Sequence, residues 1–210
     1  AGLLGQPVAH DRIEIAPAER FEVVVDFAAY PVGAQVTLVN RFVDGPLANV
    51  MRFHVVRAAK DDSNVPAELV PFAALPRESA VATREFRFAQ DGADGMWTIN
   101  GEVFDPARID ARPALGTTEI WRITSSQDHP FHMHLAHFQV LGRGRSVLGA
   151  GGAGGERGAY DAGWKDTVYV PSSEQVEIIA RFAGYRGKYV FHCHNLEHED
   201  MMMMANFEVV

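Results

Sequence analysis

The 210-residue chain is 47% hydrophobic and 22% charged, which excludes a fully disordered polymer. Its formal charge of −8, from 19 basic and 27 acidic residues without a basic stripe, argues against binding nucleic-acid phosphates. No apolar run approaches the ~18–20 residues of a membrane-spanning helix, so no membrane partner is expected.

The chain opens at Ala1-Gly2-Leu3-Leu4 with neither an initiator methionine nor a secretory signal pattern, and this start reads as a cut end. Residues 20–27, 36–39 and 51–56 are short runs of β-branched and aromatic residues. Turn signals at Tyr30-Pro31-Val32-Gly33 and Asp44-Gly45-Pro46 separate them, so they predict strands. Residues 58–81 change composition, with Lys60-Asp61-Asp62-Ser63-Asn64 and prolines at 66, 71 and 76, and read as a linker. A second strand series follows at 84–89, 96–100, 118–124, 138–141, 166–170, 175–182, 189–193 and 205–210. Repeats of roughly ten residues with turns between them predict an all-β sandwich or barrel. The glycine-rich stretch 142–158 reads as a mobile surface loop.

The chain has one cysteine against nine histidines. A single cysteine forms no intrachain disulfide and leaves the redox compartment open. Most of the histidines lie in two short segments. One is His129-Pro130-Phe131-His132-Met133-His134, with His137 just beyond. The other is His192-Cys193-His194-Asn195-Leu196-Glu197-His198, followed by Glu199-Asp200 and Met201 to Met204. Successive strand side chains point to opposite faces. In an extended segment His192 and His194 then share one face and Cys193 takes the other. His132 and His134 share a parity that His129 does not. The segments can therefore supply two sites: His129, Cys193 and His198 in one, and His132, His134, His192 and His194 in the other. Two imidazoles, a thiolate and a weak axial thioether form the blue-copper set, and Met203, ten residues after Cys193, can supply the thioether. The all-imidazole site suits copper or zinc on ligand softness. Structural zinc normally uses two or more cysteines or Cys2His2 spacing, which this chain lacks.

Together these segments resemble the C-terminal copper motifs of the multicopper oxidases, in particular the branch with spore-coat laccase, bilirubin oxidase and phenoxazinone synthase. Gly163-Trp164-Lys165-Asp166-Thr167-Val168 and the run Glu119-Ile120-Trp121-Arg122-Ile123 fit the same family. Ile15-Ala16-Pro17-Ala18-Glu19-Arg20, through Val25-Asp26-Phe27, resembles the second half of a middle cupredoxin domain. The resemblance implies a cupredoxin-like Greek-key β-sandwich over 82–210, preceded by part of a second cupredoxin domain over 1–57. It implies type 1 copper on His129, Cys193, His198 and axial Met203, type 2 copper on His132, and the type 3 pair on His134, His192 and His194. Glu199 would relay protons. Dioxygen and a small phenolic or aminophenolic reductant, or a metal ion, would be the substrates.

Three features stand apart from the family pattern. Asn195 occupies an expected aliphatic position. A slip of one residue would make Met202 or Met204 the axial ligand. Family members also carry two further His-x-His pairs in N-terminal cupredoxin domains, whereas here none occurs before residue 132. Only the type 1 site is then complete, and the other coppers are partly supplied. The alternative is a blue-copper electron carrier without oxidase activity. A homo-oligomer through exposed strands of residues 1–57, or one that donates the missing histidines, is a further expectation. Asp128 reads as a loop residue, and His10, His54 and His137 read as structural or exposed.

Overall fold

The computed structural model describes residues 2–147, 150–151 and 155–210. It divides into two compact units, one of Ala1–Arg20 with Pro66–Val210 and one of Phe21–Val65. The larger unit thus reaches back past residue 82 and takes in much of the proline-rich stretch.

In the smaller unit, β1 (Gln35–Val39) and β2 (Asn49–His54) form an antiparallel pair. Gly33, at φ 93°, makes the turn before β1. The Phe27 ring lies 5.0 Å from that of Phe53. Residues 21–26, predicted as strand, form none. A strand exists by its ladder, and this segment finds no ladder partner among the described residues. Val23, Val24 and Val25 consequently stay exposed, as do Phe42 and Leu47.

The larger unit is a cupredoxin-like β-sandwich. Its strands are β3 (Ala80–Ala89), β4 (Thr98–Ile99), β5 (Thr118–Ser125), β6 (His129–Met133), β7 (Phe138–Val147), β8 (Ala150–Gly151), β9 (Thr167–Val170), β10 (Glu174–Arg181), β11 (Gly187–Cys193) and β12 (Met204–Val209). One sheet runs β4-β3-β5-β10-β7-β8 and the other β12-β11-β6-β9. β3 and β5 pair in parallel, while the other named pairs of this unit are antiparallel. β7 extends well beyond the expected 138–141. It absorbs the start of the glycine-rich stretch, where Arg143 makes a bidentate pair with buried Asp161 (2.6 and 2.8 Å). The rest of the expected loop includes residues 148–149 and 152–154, outside the described residues.

Alternation builds the core. Phe86 and Phe88 of β3 point inward while Glu85 and Arg87 face out, the period-2 pattern of a half-buried strand. Trp121 sits fully buried among Phe86 (4.6 Å), Phe191 (5.1 Å), Phe182 (5.6 Å) and Phe207 (5.7 Å), so its ring joins both sheets. Its indole N–H donates to Glu119 (3.0 Å), whose buried carboxylate takes a two-pronged bond from Arg84 (2.6 and 2.7 Å).

Candidate metal centre

β11 lies between β12 and β6, and the register sets Cys193 opposite Phe131, His192 opposite His132 and Phe191 opposite Met133. The odd-numbered residues Phe131, Met133, Phe191 and Cys193 belong to the core cluster. The even-numbered His132 and His192 therefore take the opposite face of the same sheet. Each predicted donor set accordingly gathers on its own face.

On the core face, His129 Nδ1, Cys193 Sγ and His198 Nδ1 form a triangle with edges of 3.0, 3.3 and 3.4 Å. Donors held ~2.0–2.3 Å from one ion at trigonal angles stand about 3.5 Å apart, so the spacing fits a shared metal. His129 and Cys193 are fully buried, while His198 is partly exposed on the short helix α1 (Leu196–Asp200). The Asn195 main-chain N–H donates to Cys193 Sγ (3.4 Å), and its side-chain amide donates to the Asp128 carbonyl (3.2 Å). The residue thus ties the α1 loop to the start of β6. The Asp128 carboxylate itself accepts from Ser172 N–H (2.8 Å), a loop-stabilising role.

After α1, Met202 takes a left-handed conformation at φ 73°. That turn leaves Met201 and Met202 exposed and buries Met203 completely. Met203 donates its N–H to the His198 carbonyl (2.9 Å) and accepts from Cys193 N–H (3.2 Å). Of the four methionines, Met203 is thus the one bonded to two members of the triangle. Trp97, which the sequence reading passed over, stacks on His198 at 3.8 Å and 28° and meets His129 edge-on at 5.3 Å. It caps the more exposed imidazole, and its only signal in the sequence was a tryptophan in the strand-like run 96–100.

On the other face, His132, His134 and His192 place donor atoms within 4.8 Å of one another. The His194 ring lies 5.4 Å from His132 and 5.3 Å from His192. A main-chain carbonyl only accepts, so a bond from Nδ1 to a carbonyl favours the tautomer with hydrogen on Nδ1. His132 Nδ1–H donates to the Asp166 carbonyl (2.9 Å), and His192 Nδ1–H donates to that of Cys193 (3.0 Å). Both imidazoles therefore present Nε2 lone pairs, and His192 Nε2 lies 3.2 Å from His134 Nε2. The core site offers Nδ1 and this one Nε2. Glu199 of α1 sits 3.6 Å from His192 Nδ1. Of the other histidines, His10 packs on Tyr160 at 5.1 Å, and His54 and His137 are exposed.

Burial governs the electrostatics. It drives His129 down to about 3, helped by the charge of His198, and His132 down to about 4, helped by His192 and His134. His134, His192 and His198 are also lowered, chiefly by burial. The Cys193 thiol is pushed up to about 12, again by burial. Burial would raise Asp166 too, but its bonds and attraction to Arg20 outweigh that and hold it at about 2.

These shifts predict a stability plateau for the metal-free protein. His129 and His132 stay neutral in the fold but protonate near 6.5 once unfolded. Stability is thus full above pH 6.5 and is lost as pH falls toward 4 and 3. The unfolded thiol ionises near 9.0 and the folded one near 12, so stability falls again above pH 9. Urea midpoints between pH 4 and 11 should peak between these limits. A midpoint that does not change from pH 7 to pH 4 would count against the buried neutral imidazoles.

Known proteins resemble this chain over nearly its whole length. Residues 77–210 match the multicopper oxidase family model. A laccase of Bacillus subtilis is 34% identical over 99% of this chain and 44% of its own length. The bilirubin oxidase of Albifimbria verrucaria is 36% identical over 99% of this chain and 38% of its own. A laccase-like multicopper oxidase from a lignin-degrading Ochrobactrum superposes with a TM-score of 0.77 at 32% identity, over 100% of this chain and 48% of that one. The chain therefore spans less than half the length of these relatives. The family match over 77–210 and these relatives, with a sandwich shared with the oxidases, place the chain in the multicopper oxidase family.

Proposed function

We propose that this chain is the C-terminal portion of a multicopper oxidase. The parent takes single electrons from phenolic or aminophenolic reductants, or from metal ions, and delivers them to dioxygen, forming water. The observation that carries the reading is the triangle of His129, Cys193 and His198, beside an outer cluster of His132, His134 and His192, the last adjoining the cysteine in sequence. Copper, when bound, supplies one-electron redox chemistry. His129, Cys193, His198 and Met203 would hold type 1 copper. His132 is assigned to type 2 copper, and His134, His192 and His194 to the type 3 pair. The peptide units from Cys193 to His192 and His194 give electrons a short covalent path between the two sets. Glu199, partly exposed beside His192, is assigned to carry protons toward the outer cluster.

The outer cluster is open on this chain: His134 is exposed and His194 half-buried. Further imidazoles from N-terminal cupredoxin domains, or from a partner chain, complete it in this reading. Residues 1–57 are assigned to part of the middle domain, 58–81 to the linker and 82–210 to the copper domain. The exposed Val23, Val24, Phe42 and Leu47 support a covering partner for the smaller unit. The second reading, a blue-copper carrier, draws on the same triangle, which needs no outside ligand.

Copper titration of the chain tests both readings. One equivalent should produce an intense band near about 600 nm, from thiolate-to-copper charge transfer. Saturation without that band would sink the type 1 assignment. A carrier takes up no more, whereas the oxidase reading requires additional copper once the N-terminal portion is added. Oxidase-level dioxygen turnover by the isolated chain would overturn the reading of an open outer cluster.

A further inference from the structure

Glu19 and Arg20 lie far from the copper motifs in sequence, yet both are fastened beside one of them. Glu19 pairs with Lys165 at 3.0 Å, the two side chains being only 5% and 11% exposed. Arg20 donates two parallel bonds to the Asp166 carboxylate, at 2.7 and 2.8 Å. The segment is anchored upstream as well: Leu69 N–H donates to the Gly5 carbonyl (2.9 Å), and Tyr160 O–H donates to that of Arg12 (3.2 Å).

Beyond Asp166 the bonds continue in one direction. Thr167 donates its hydroxyl to Asp166 Oδ1 (3.1 Å), which leaves its oxygen free to accept from His132 Nδ1–H (2.9 Å). The Asp166 carbonyl accepts the same His132 Nδ1–H at 2.9 Å. We propose that Arg20 is a positioning residue that holds the Asp166 carboxylate against Thr167, commits the threonine hydroxyl, and so reinforces that carbonyl in keeping His132 with its hydrogen on Nδ1 and its lone pair on Nε2. The inference rests on reading His132 as a metal donor through Nε2.

The alternative arrangement shows what Arg20 prevents. Without its charged fork, the Asp166 carboxylate turns to solvent. The Thr167 hydroxyl is then free to rotate and donate to His132 Nδ1. That competes with the Asp166 carbonyl and raises the share of the tautomer with hydrogen on Nε2, which has no lone pair to present to His134 and His192. A planar guanidinium suits the task because it grips both carboxylate oxygens at once, which an ammonium does less well.

The test uses the full chain without metal, labelled with 15N-histidine, at pH 7.5, with long-range 1H–15N correlation reporting the tautomer of His132. The unaltered protein should show hydrogen on Nδ1. Arg20→Met should raise the Nε2–H share by about five- to tenfold, the scale of one rearranged hydrogen bond. Arg20→Lys should give a smaller change in the same direction, and serves if the methionine variant folds poorly. Adding Thr167→Val to Arg20→Met should restore the Nδ1–H form, because the competing donor is gone. Glu19→Gln, which weakens the Lys165 pair and the bond from Ala16 N–H but leaves the Arg20–Asp166 fork, should leave His132 unchanged. An unchanged tautomer in both Arg20 variants overturns the proposal. So does an equal change in Glu19→Gln, which would mean general loosening of the segment. If the tautomers behave as expected but His132 takes no part in copper binding in the assembled protein, the metal assignment fails and the clamp stands.

Discussion

Cys193→Ser should abolish the band near about 600 nm and weaken copper binding at the core site by more than about 100-fold. Serine fits the space of cysteine, so the fold should survive. The loss is electronic. A hydroxyl in this buried setting stays protonated and offers a hard, neutral oxygen in place of a soft thiolate. Loading the native site has its own proton cost, since the Cys193 thiol titrates near 12 while His129 is already neutral at pH 7. Each copper bound should therefore release about one proton, and affinity should rise about tenfold per pH unit through the neutral range. Calorimetry in buffers of different ionisation enthalpy measures that release. Retention of both the band and the affinity in Cys193→Ser would remove the thiolate from the site.

Trp121→Ala should cost about 3–5 kcal/mol of stability, the usual range for emptying a buried aromatic site. In a unit of this size that lowers the melting temperature by about 6–20 °C. The expectation follows from the ring's place between Phe86, Phe182, Phe191 and Phe207, and from the bond that its indole donates to buried Glu119. The functional consequence runs along β11. Phe191 packs on Trp121 and lies two residues before Cys193, so both side chains share the core face. A cavity beside Phe191 should broaden the copper spectrum before the protein unfolds. Trp121→Phe should cost markedly less. Urea denaturation of both variants checks the order, and a cost below about 1 kcal/mol for alanine would show that the core repacks around the loss.

Strand alternation is a local property, and it made the two donor sets legible from two short segments. His192, Cys193 and His194 must alternate if the backbone is extended, whatever surrounds them. The spacing of β-branched and aromatic runs likewise located most strands of the larger unit. Boundaries shifted where pairing decided them. β7 runs on to residue 147 because β10 and β8 offer it ladder partners. Residues 21–26 carry an equally strand-like composition, yet gain no ladder. Hydrogen bonding to a neighbour decides strand identity, and a single segment does not contain its neighbour.

Met203 shows the same division at atomic scale. Spacing from Cys193 favours it over Met202 and Met204, but the left-handed turn at Met202 is what turns it inward. The sequence by itself determined the donor types, their separation into two faces and the β-sandwich that carries them, because alternation and ligand chemistry act within a few residues. Only the tertiary structure decided which nitrogen each imidazole presents, that Trp97 caps His198, and that Arg20 reaches Asp166 from 146 positions away. Those outcomes depend on packing and hydrogen bonds between strands distant in sequence, and no periodicity along the chain records them.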